Sequence, residues 1–180
     1  HPDVISVTGI RTDETKQGIS TYDYAVDIAA SGWFAKTTLG NTTNDYNNST
    51  GTSIATPVVS GTAALLRARF PNYSARQIME QLRVTGDIID TSIYNTPYRY
   101  KMGRKLNPYR ALTDSTKPSI RTTILDTAFT VNPSGDIVDL AIDFTNYLAN
   151  KKNIKVELIS LTPNYVITSP PLLIDTISQS

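Results

Sequence analysis

The residues best suited to covalent chemistry lie in the run Gly51-Thr52-Ser53. A serine hydroxyl is a weak nucleophile at neutral pH. It becomes effective when a base lies within about 3 Å and when hydrogen-bond donors face the developing oxyanion. The small side chains of Gly51, Thr52 and Ala55 leave room for a substrate backbone to approach this hydroxyl. We therefore take Ser53 as the candidate nucleophile.

The element that must position Ser53 is the segment that follows it. Residues 53–70 are apolar on nearly all sides until the last turn, which is typical of a core helix. A helix that begins at Ser53 leaves its first N–H groups without intrahelical acceptors and brings the positive end of its dipole to the hydroxyl. The Ser53 N–H is then an oxyanion donor, and Pro57 fits near the first turn. A capping box at residues 74–77 predicts a second helix, which Gly86 ends.

Residues 51–61 resemble the nucleophile signature of the subtilisin-like serine peptidases. The sequence GTSIATPVVSG satisfies every specified position of the pattern G-T-S-x-[SA]-x-P-x-x-[STAVC]-[AG]. A chance match is on the order of one in ten million per start position at average residue usage. The resemblance implies that Ser53 is the catalytic nucleophile, supported by Gly51, Thr52 and Pro57. It also implies an endopeptidase that acts on protein or peptide substrates.

The catalytic partners that such a serine needs are not found in this sequence. The family's chain order is Asp, His, Ser, and no matching Asp or His motif precedes Ser53. His1 is the only histidine, and the residues after it resemble the strand that lies between the family's oxyanion region and its serine. We therefore expect a fragment that is inactive alone, with its Asp, His and oxyanion Asn in an upstream half. The alternative is a pseudoenzyme or binding protein that retains the fold.

The family resemblance covers residues 1–112 and then ends. Residues 103–112 resemble the closing segment of subtilisin-like catalytic domains, although Met102 and Pro108 depart from its pattern, and residues 114–118 are linker-like. Beyond them, apolar and polar residues alternate, which indicates half-buried strands. The apolar members are Val138, Leu140, Ile142, Phe144, Ile154, Val156 and Leu158. This second region, roughly 65 residues long, is shorter than the about 100 residues of a complete β-sandwich.

The predicted fold class is therefore α/β. We expect the C-terminal portion of a parallel-sheet catalytic domain in residues 1–112, followed by a partial antiparallel β-sandwich in residues 113–180. Within the first part, the β-branched residues 4–7 predict a buried strand before Gly9. Residues 11–20 are polar and predict a connection between elements.

Asp27 lies in an apolar run, where a carboxylate is costly unless it is paired or metal-bound. Residues 26–32 resemble the family's [VL]-D-[VIL]-x-A-P-G segment, with Ser31 in place of proline. The resemblance implies that Asp27 helps to bind a Ca²⁺ or Na⁺ ion together with the carbonyls of His1 and Val4. The alternative is an acid that is hydrogen-bonded to nearby backbone. No cofactor is required for the chemistry at the serine.

The aromatic pair Trp33 and Phe34 follows this segment. Such a pair either lines a binding cleft or fills a core.

The composition excludes several other classes of function. Seventeen Lys and Arg residues against sixteen Asp and Glu residues give a net charge of +1, and no charged block indicates nucleic acid or an anionic membrane as a partner. No apolar stretch approaches the length of a membrane span. The absence of cysteine excludes disulfides and Cys-ligated metals and fits a secreted or extracytoplasmic bacterial protein. The expected partners are a protein or peptide substrate and the upstream half of the same domain.

Overall fold

The computed structural model describes residues 4–38, 40, 44–125, 140–160, 163 and 166–179. The chain divides between Lys117 and Pro118 into two units, inside the linker-like stretch predicted from the sequence. The assignment of a catalytic-domain portion to residues 1–112 and of an incomplete β unit to residues 113–180 stays a prediction.

The first unit combines short strands with three helices. In chain order its elements are β1 (Val7–Ile10), β2 (Ile28–Ser31), β3 (Ala35–Thr38), β4 (Tyr46–Ser49), α1 (Thr52–Arg69), α2 (Ala75–Thr85), a 3₁₀ turn (Ile93–Tyr98), β5 (Arg104–Lys105) and α3 (Pro108–Thr113). Strands β1, β2 and β5 form a parallel sheet in that order, and β3 pairs with β4 in an antiparallel hairpin. A parallel sheet with helices packed on it is the predicted α/β class.

The first strand begins later than the sequence predicts. Val4 is 61% exposed, and the Ser6 N–H donates to a carboxylate oxygen of Asp27 at 2.9 Å instead of to a strand. Pairing then runs from Val7 to Ile10. The expected boundary at Gly9 was wrong, because this glycine lies inside β1 with the Gln17 side chain against it. A Cβ at Gly9 would come within 2.6 Å of the Gln17 side-chain oxygen.

Helix α1 packs on the sheet through one face only. Ala55, Val59 and Leu66 are buried in a core cluster with Ile28 of β2. The opposite face of this helix is not covered by any other described element. We call it the open face of α1, made up of Ile54, Val58, Gly61, Leu65 and Ala68, of which Ile54 is half-buried. The prediction of a helix buried on nearly all sides was therefore wrong, because three strands and two helices cover only one side.

Side-chain caps determine where the other two helices begin. The Ser74 hydroxyl accepts the Gln77 N–H at 3.2 Å, and the Gln77 side chain accepts the Ser74 N–H at 2.8 Å, so the predicted capping box is present. Asn107 caps α3 by accepting a backbone N–H, and Pro108 occupies its first turn. Proline is well suited to that position, where its missing N–H has no intrahelical acceptor. Pro108, which departs from the family pattern, is thus the first residue of a helix.

A network of ion pairs connects β5 to residues outside the sheet. The Lys105 ammonium pairs with the Glu14 carboxylate and lies 3.8 Å from a carboxylate oxygen of Asp87. Asp87 also pairs with Arg110 at 2.8 Å. The hydrogen bond that the Lys105 ammonium donates to the Glu14 carboxylate raises the pKa of Lys105 above its ordinary value. This contribution to stability is therefore complete below the ordinary lysine pKa and is lost as pH rises through the raised value.

The second unit contains two antiparallel strand pairs. They are β6 (Ile120–Ile124) with β7 (Ile142–Asn146), and β8 (Lys151–Val156) with β9 (Leu172–Ile177). The predicted alternation is confirmed at Ile142 and Phe144, which are half-buried around the exposed Asp143. Leu158 lies beyond β8 and is 39% exposed, so its strand assignment was wrong. Val138 falls outside the described residues.

We expect Ser74→Ala to lower the free energy of unfolding by about 1 kcal/mol, because α2 loses its N-terminal hydroxyl acceptor. Urea unfolding followed by circular dichroism measures the change. Ser60→Ala is the matched control, since Ser60 is exposed in the middle of α1, where alanine has the higher helix propensity. Equal midpoints for Ser74→Ala and the wild type would contradict the role of the cap.

Candidate active site

Ser53 is the second residue of α1, and its side chain is exposed. The Ile54 and Ala55 N–H groups both donate to the Gly51 carbonyl oxygen, at 3.0 and 3.3 Å. The Ser53 N–H precedes them and has no intrahelical acceptor. The serine hydroxyl and a backbone donor therefore lie together at the positive end of the helix dipole.

Backbone hydrogen bonds attach the turn before Ser53 to the carboxyl end of the parallel sheet. The Gly32 N–H, just after β2, donates to the Ile10 carbonyl of β1 at 3.1 Å. The Gly32 carbonyl in turn accepts the Gly51 N–H at 2.8 Å. The carboxyl ends of parallel strands are where open α/β sheets bind ligands. Ser53 is thus held at the edge of the sheet that is suited to substrate.

Gly32 is required by space, and Gly51 leaves room for the Ser53 hydroxyl. A Cβ at Gly32 would lie 2.8 Å from the Gly51 carbonyl oxygen. Gly51 has φ of 158°, and a Cβ there would lie 3.1 Å from the Ser53 hydroxyl oxygen. The absence of these side chains lets the sheet edge, the turn and the nucleophile approach one another closely.

Thr52 and Pro57 support the first turns of α1. The Thr52 carbonyl accepts the Thr56 hydroxyl at 2.9 Å. Pro57 is exposed inside the helix and has no N–H, so it makes no bond to the Ser53 carbonyl. The four residues predicted for this site, Gly51, Thr52, Ser53 and Pro57, therefore occupy one continuous turn and helix start.

Two buried polar residues near this turn were not predicted. Gln17 is fully buried and Ser20 is 3% exposed, and both lie in the polar connection predicted from the sequence. Their side-chain polar atoms have no hydrogen-bond partner among the described residues. The Gln17 side-chain oxygen would lie 3.0 Å from a Cβ at Gly32. The amide therefore packs against the glycine whose carbonyl accepts the Gly51 N–H. The one sequence signal was Gly9, since glycine inside a strand marks a close approach.

Asp27 takes the backbone-bonded arrangement that was the alternative to a metal ligand. Its carboxylate accepts the Ser6 N–H at 2.9 Å. In the part of the chain that the structure describes, no group of three or more His, Cys, Asp or Glu side chains could hold a metal ion. The ion at Asp27 stays a prediction, and His1 lies outside the described residues.

The aromatic pair beside the turn does not fill the core. Phe34 is 60% exposed, so core filling was the wrong alternative for it. Trp33 is half-buried, and the Arg11 guanidinium carbon lies 4.5 Å from the centre of its ring.

Comparison with known proteins assigns the chain and its fold to one family. The family model described as the subtilase family, peptidase S8, matches residues 1–152. The chain is 34% identical over 92 residues to the thermostable alkaline protease of Halalkalibacterium halodurans, which is 51% of this chain and 25% of that protein. It is 32% identical over 95 residues to subtilisin NAT of Bacillus subtilis subsp. natto, covering 52% and 24%. A protease structure from Pseudoalteromonas arctica shares the fold, with a TM-score of 0.52, 22% identity and coverage of 61% and 35%.

This chain belongs to the subtilase family of serine peptidases. It spans about a quarter of the length of the curated relatives described above. The match continues past residue 112, where the sequence resemblance ended, into the strands of the second unit. None of the helices among the described residues is long and apolar enough to cross a membrane.

We expect Gly32→Ala to slow fluorophosphonate labelling of Ser53 in the parent polypeptide by about 10²-fold, the effect of displacing a reacting group by about 1 Å. The added methyl group would push the Gly51 carbonyl, and with it the serine, away from the sheet. Labelling rates are read from the intact protein by mass spectrometry. Gly18→Ala is the control, since nothing lies within 4 Å of a Cβ at Gly18. Equal slowing in both variants would contradict this explanation.

Proposed function

We propose that this chain is the nucleophile-bearing part of a subtilisin-like serine endopeptidase. One observation carries the proposal: Ser53 is exposed at the start of α1, at the carboxyl edge of a parallel sheet, and its own N–H has no acceptor among the described residues. A serine that merely capped a core helix would use its hydroxyl to accept a backbone N–H. The start of α1 has no side-chain cap, since Gly51 occupies the N-cap position.

In the proposed reaction, the Ser53 hydroxyl oxygen attacks the carbonyl carbon of a peptide bond while a histidine takes its proton. The carbonyl oxygen becomes an oxyanion, and the Ser53 N–H donates to it together with an upstream Asn side chain. The histidine then gives its proton to the leaving amine. This chain supplies the nucleophile and one oxyanion donor, and the upstream half supplies the base, its orienting Asp and the second donor.

The uncovered surfaces of the first unit support an upstream half as the partner. Along the open face of α1, Val58 is 45% exposed and Leu65 is 56% exposed. Among the described strands, β1 pairs only with β2, and its other edge carries only an isolated bridge from Ile10 to Lys16 and a hydrogen bond from the Gln17 N–H to the Gly9 carbonyl. All-parallel sheets are covered on both faces, and free strand edges pair readily with further chain. A segment that adds strands beside β1 and packs on α1 would complete the sheet and bury this apolar surface.

The proposed location is outside the cytoplasm of a bacterium. The absence of cysteine is compatible with an oxidising compartment, and the relatives named above come from bacteria.

The decisive test is fluorophosphonate labelling of the parent polypeptide, with Ser53→Ala alongside. The proposal requires labelling that the alanine variant abolishes, because the reagent needs a serine activated by a base. A folded parent that does not label would instead be a pseudoenzyme. The 180-residue chain alone should not hydrolyse peptides at an enzymatic rate. Turnover by the pure chain that disappears in Ser53→Ala would contradict the assignment of the base to an upstream half.

A separate prediction concerns association of the isolated chain. Because the open face of α1 is apolar, we expect the chain to form oligomers that Leu65→Lys weakens by placing a charge in the contact. Sedimentation velocity over a concentration series measures this. Leu173→Lys is the control, since Leu173 is 77% exposed on β9 in the second unit. Monomeric behaviour of the wild type at high concentration would contradict the prediction.

A further inference from the structure

An exposed cluster borders the nucleophile turn and has no part in the chemistry proposed above. We call Arg11, Trp33 and Phe34 the aromatic patch. The centres of the Trp33 and Phe34 rings lie 5.1 Å apart, and the Arg11 guanidinium carbon lies 4.5 Å from the centre of the Trp33 ring. Contact with the cation fixes the indole from one side. The Phe34 ring beside it is 60% exposed.

The backbone of Phe34 is strained. Its φ is 49°, in the left-handed region where a bulky residue is a genuine outlier. Glycine or asparagine would adopt this conformation at lower cost. Residues held in such conformations are concentrated where proteins contact ligands. Because the Phe34 ring is largely exposed, internal packing does not account for a phenylalanine at this position.

The aromatic patch is tied to the nucleophile turn by hydrogen bonds on both sides. The Phe34 N–H donates to the Thr50 hydroxyl at 3.1 Å, and the Gly32 carbonyl accepts the Gly51 N–H at 2.8 Å. Thr50 precedes Ser53 by three residues, so their Cα atoms lie at most about 11 Å apart. An extended substrate advances about 3.3 Å per residue. A substrate side chain a few residues from the cleaved bond therefore reaches the aromatic patch.

We propose that the aromatic patch is a specificity subsite that binds an apolar or aromatic side chain of the peptide substrate. This inference rests on the proposed peptidase function and adds to it a preference. Phe34 offers an accessible ring, and Trp33, held by Arg11, forms the wall beside it. Offset or edge-to-face contact with a substrate ring is the arrangement that such aromatic pairs favour. Phe34 determines specificity and takes no part in bond cleavage.

The test compares kcat/KM of the parent polypeptide for peptides that differ at a single residue. Phenylalanine or alanine is placed in turn at each position near the cleaved bond. At one position we expect the wild type to favour phenylalanine by about tenfold, the discrimination that a small apolar pocket achieves. F34G removes the ring, and glycine readily adopts the positive φ at this position. The variant should therefore reduce this ratio to about twofold. F34Y keeps an aromatic ring and should retain the ratio.

The matched control is Y46G, because Tyr46 is a 56% exposed aromatic residue of the same hairpin that lies outside the aromatic patch. A phenylalanine-to-alanine ratio that is the same in F34G and the wild type would overturn the inference, as would an equal loss of the ratio in Y46G. Fluorophosphonate labelling of the wild type distinguishes failure of the proposed subsite from failure of the proposed peptidase function. A labelled parent with unchanged ratios rejects the subsite alone, whereas an unlabelled parent rejects the peptidase function and the subsite with it.

Discussion

The hydrogen bond from the Gly51 N–H to the Gly32 carbonyl connects the sheet to the start of α1, where Ser53 lies. Strand order and register place Gly32 at the carboxyl edge of the sheet, and this bond holds the turn before Ser53 at the same edge. Gly32 has no room for a Cβ without displacing the turn, and Gly51 leaves room for the Ser53 hydroxyl. The position of the serine is therefore fixed by backbone atoms, which carry less conformational freedom than side chains.

The same unit is asymmetric in how it buries apolar surface. The sheet-facing side of α1 packs into the core, with Ala55 and Leu66 fully buried, whereas its other side is uncovered by described residues. Ser53 is exposed in the first turn of this helix, one residue before Ile54 of the open face. A partner that covers the open face of α1 would thus bring its own side chains close to Ser53, as assembly of a catalytic site from two halves of one domain requires.

Local signals made the helices, and the position of Ser53 at the start of one of them, predictable from the sequence. Ser53 stands in a long, specific motif, and the capping box at Ser74 involves residues three apart. The start of β1, the burial of Gln17 and the exposure of Phe34 were not predictable in this way. The first two depend on partners elsewhere in the chain: the Asp27 carboxylate for the start of β1, and the faces of Gly9 and Gly32 for Gln17. Hydrophobic patterning carries no information about such contacts.

Trp33 is the only tryptophan in the chain, and it lies immediately after Gly32, whose carbonyl holds the nucleophile turn. The indole is half-buried and in contact with a guanidinium, so its emission is sensitive to small changes in local polarity. This chain consequently carries an intrinsic fluorophore one residue from the glycine that holds the turn before Ser53. A change in the surroundings of that turn, such as the binding of a partner segment beside it, would be visible in real time without any attached label.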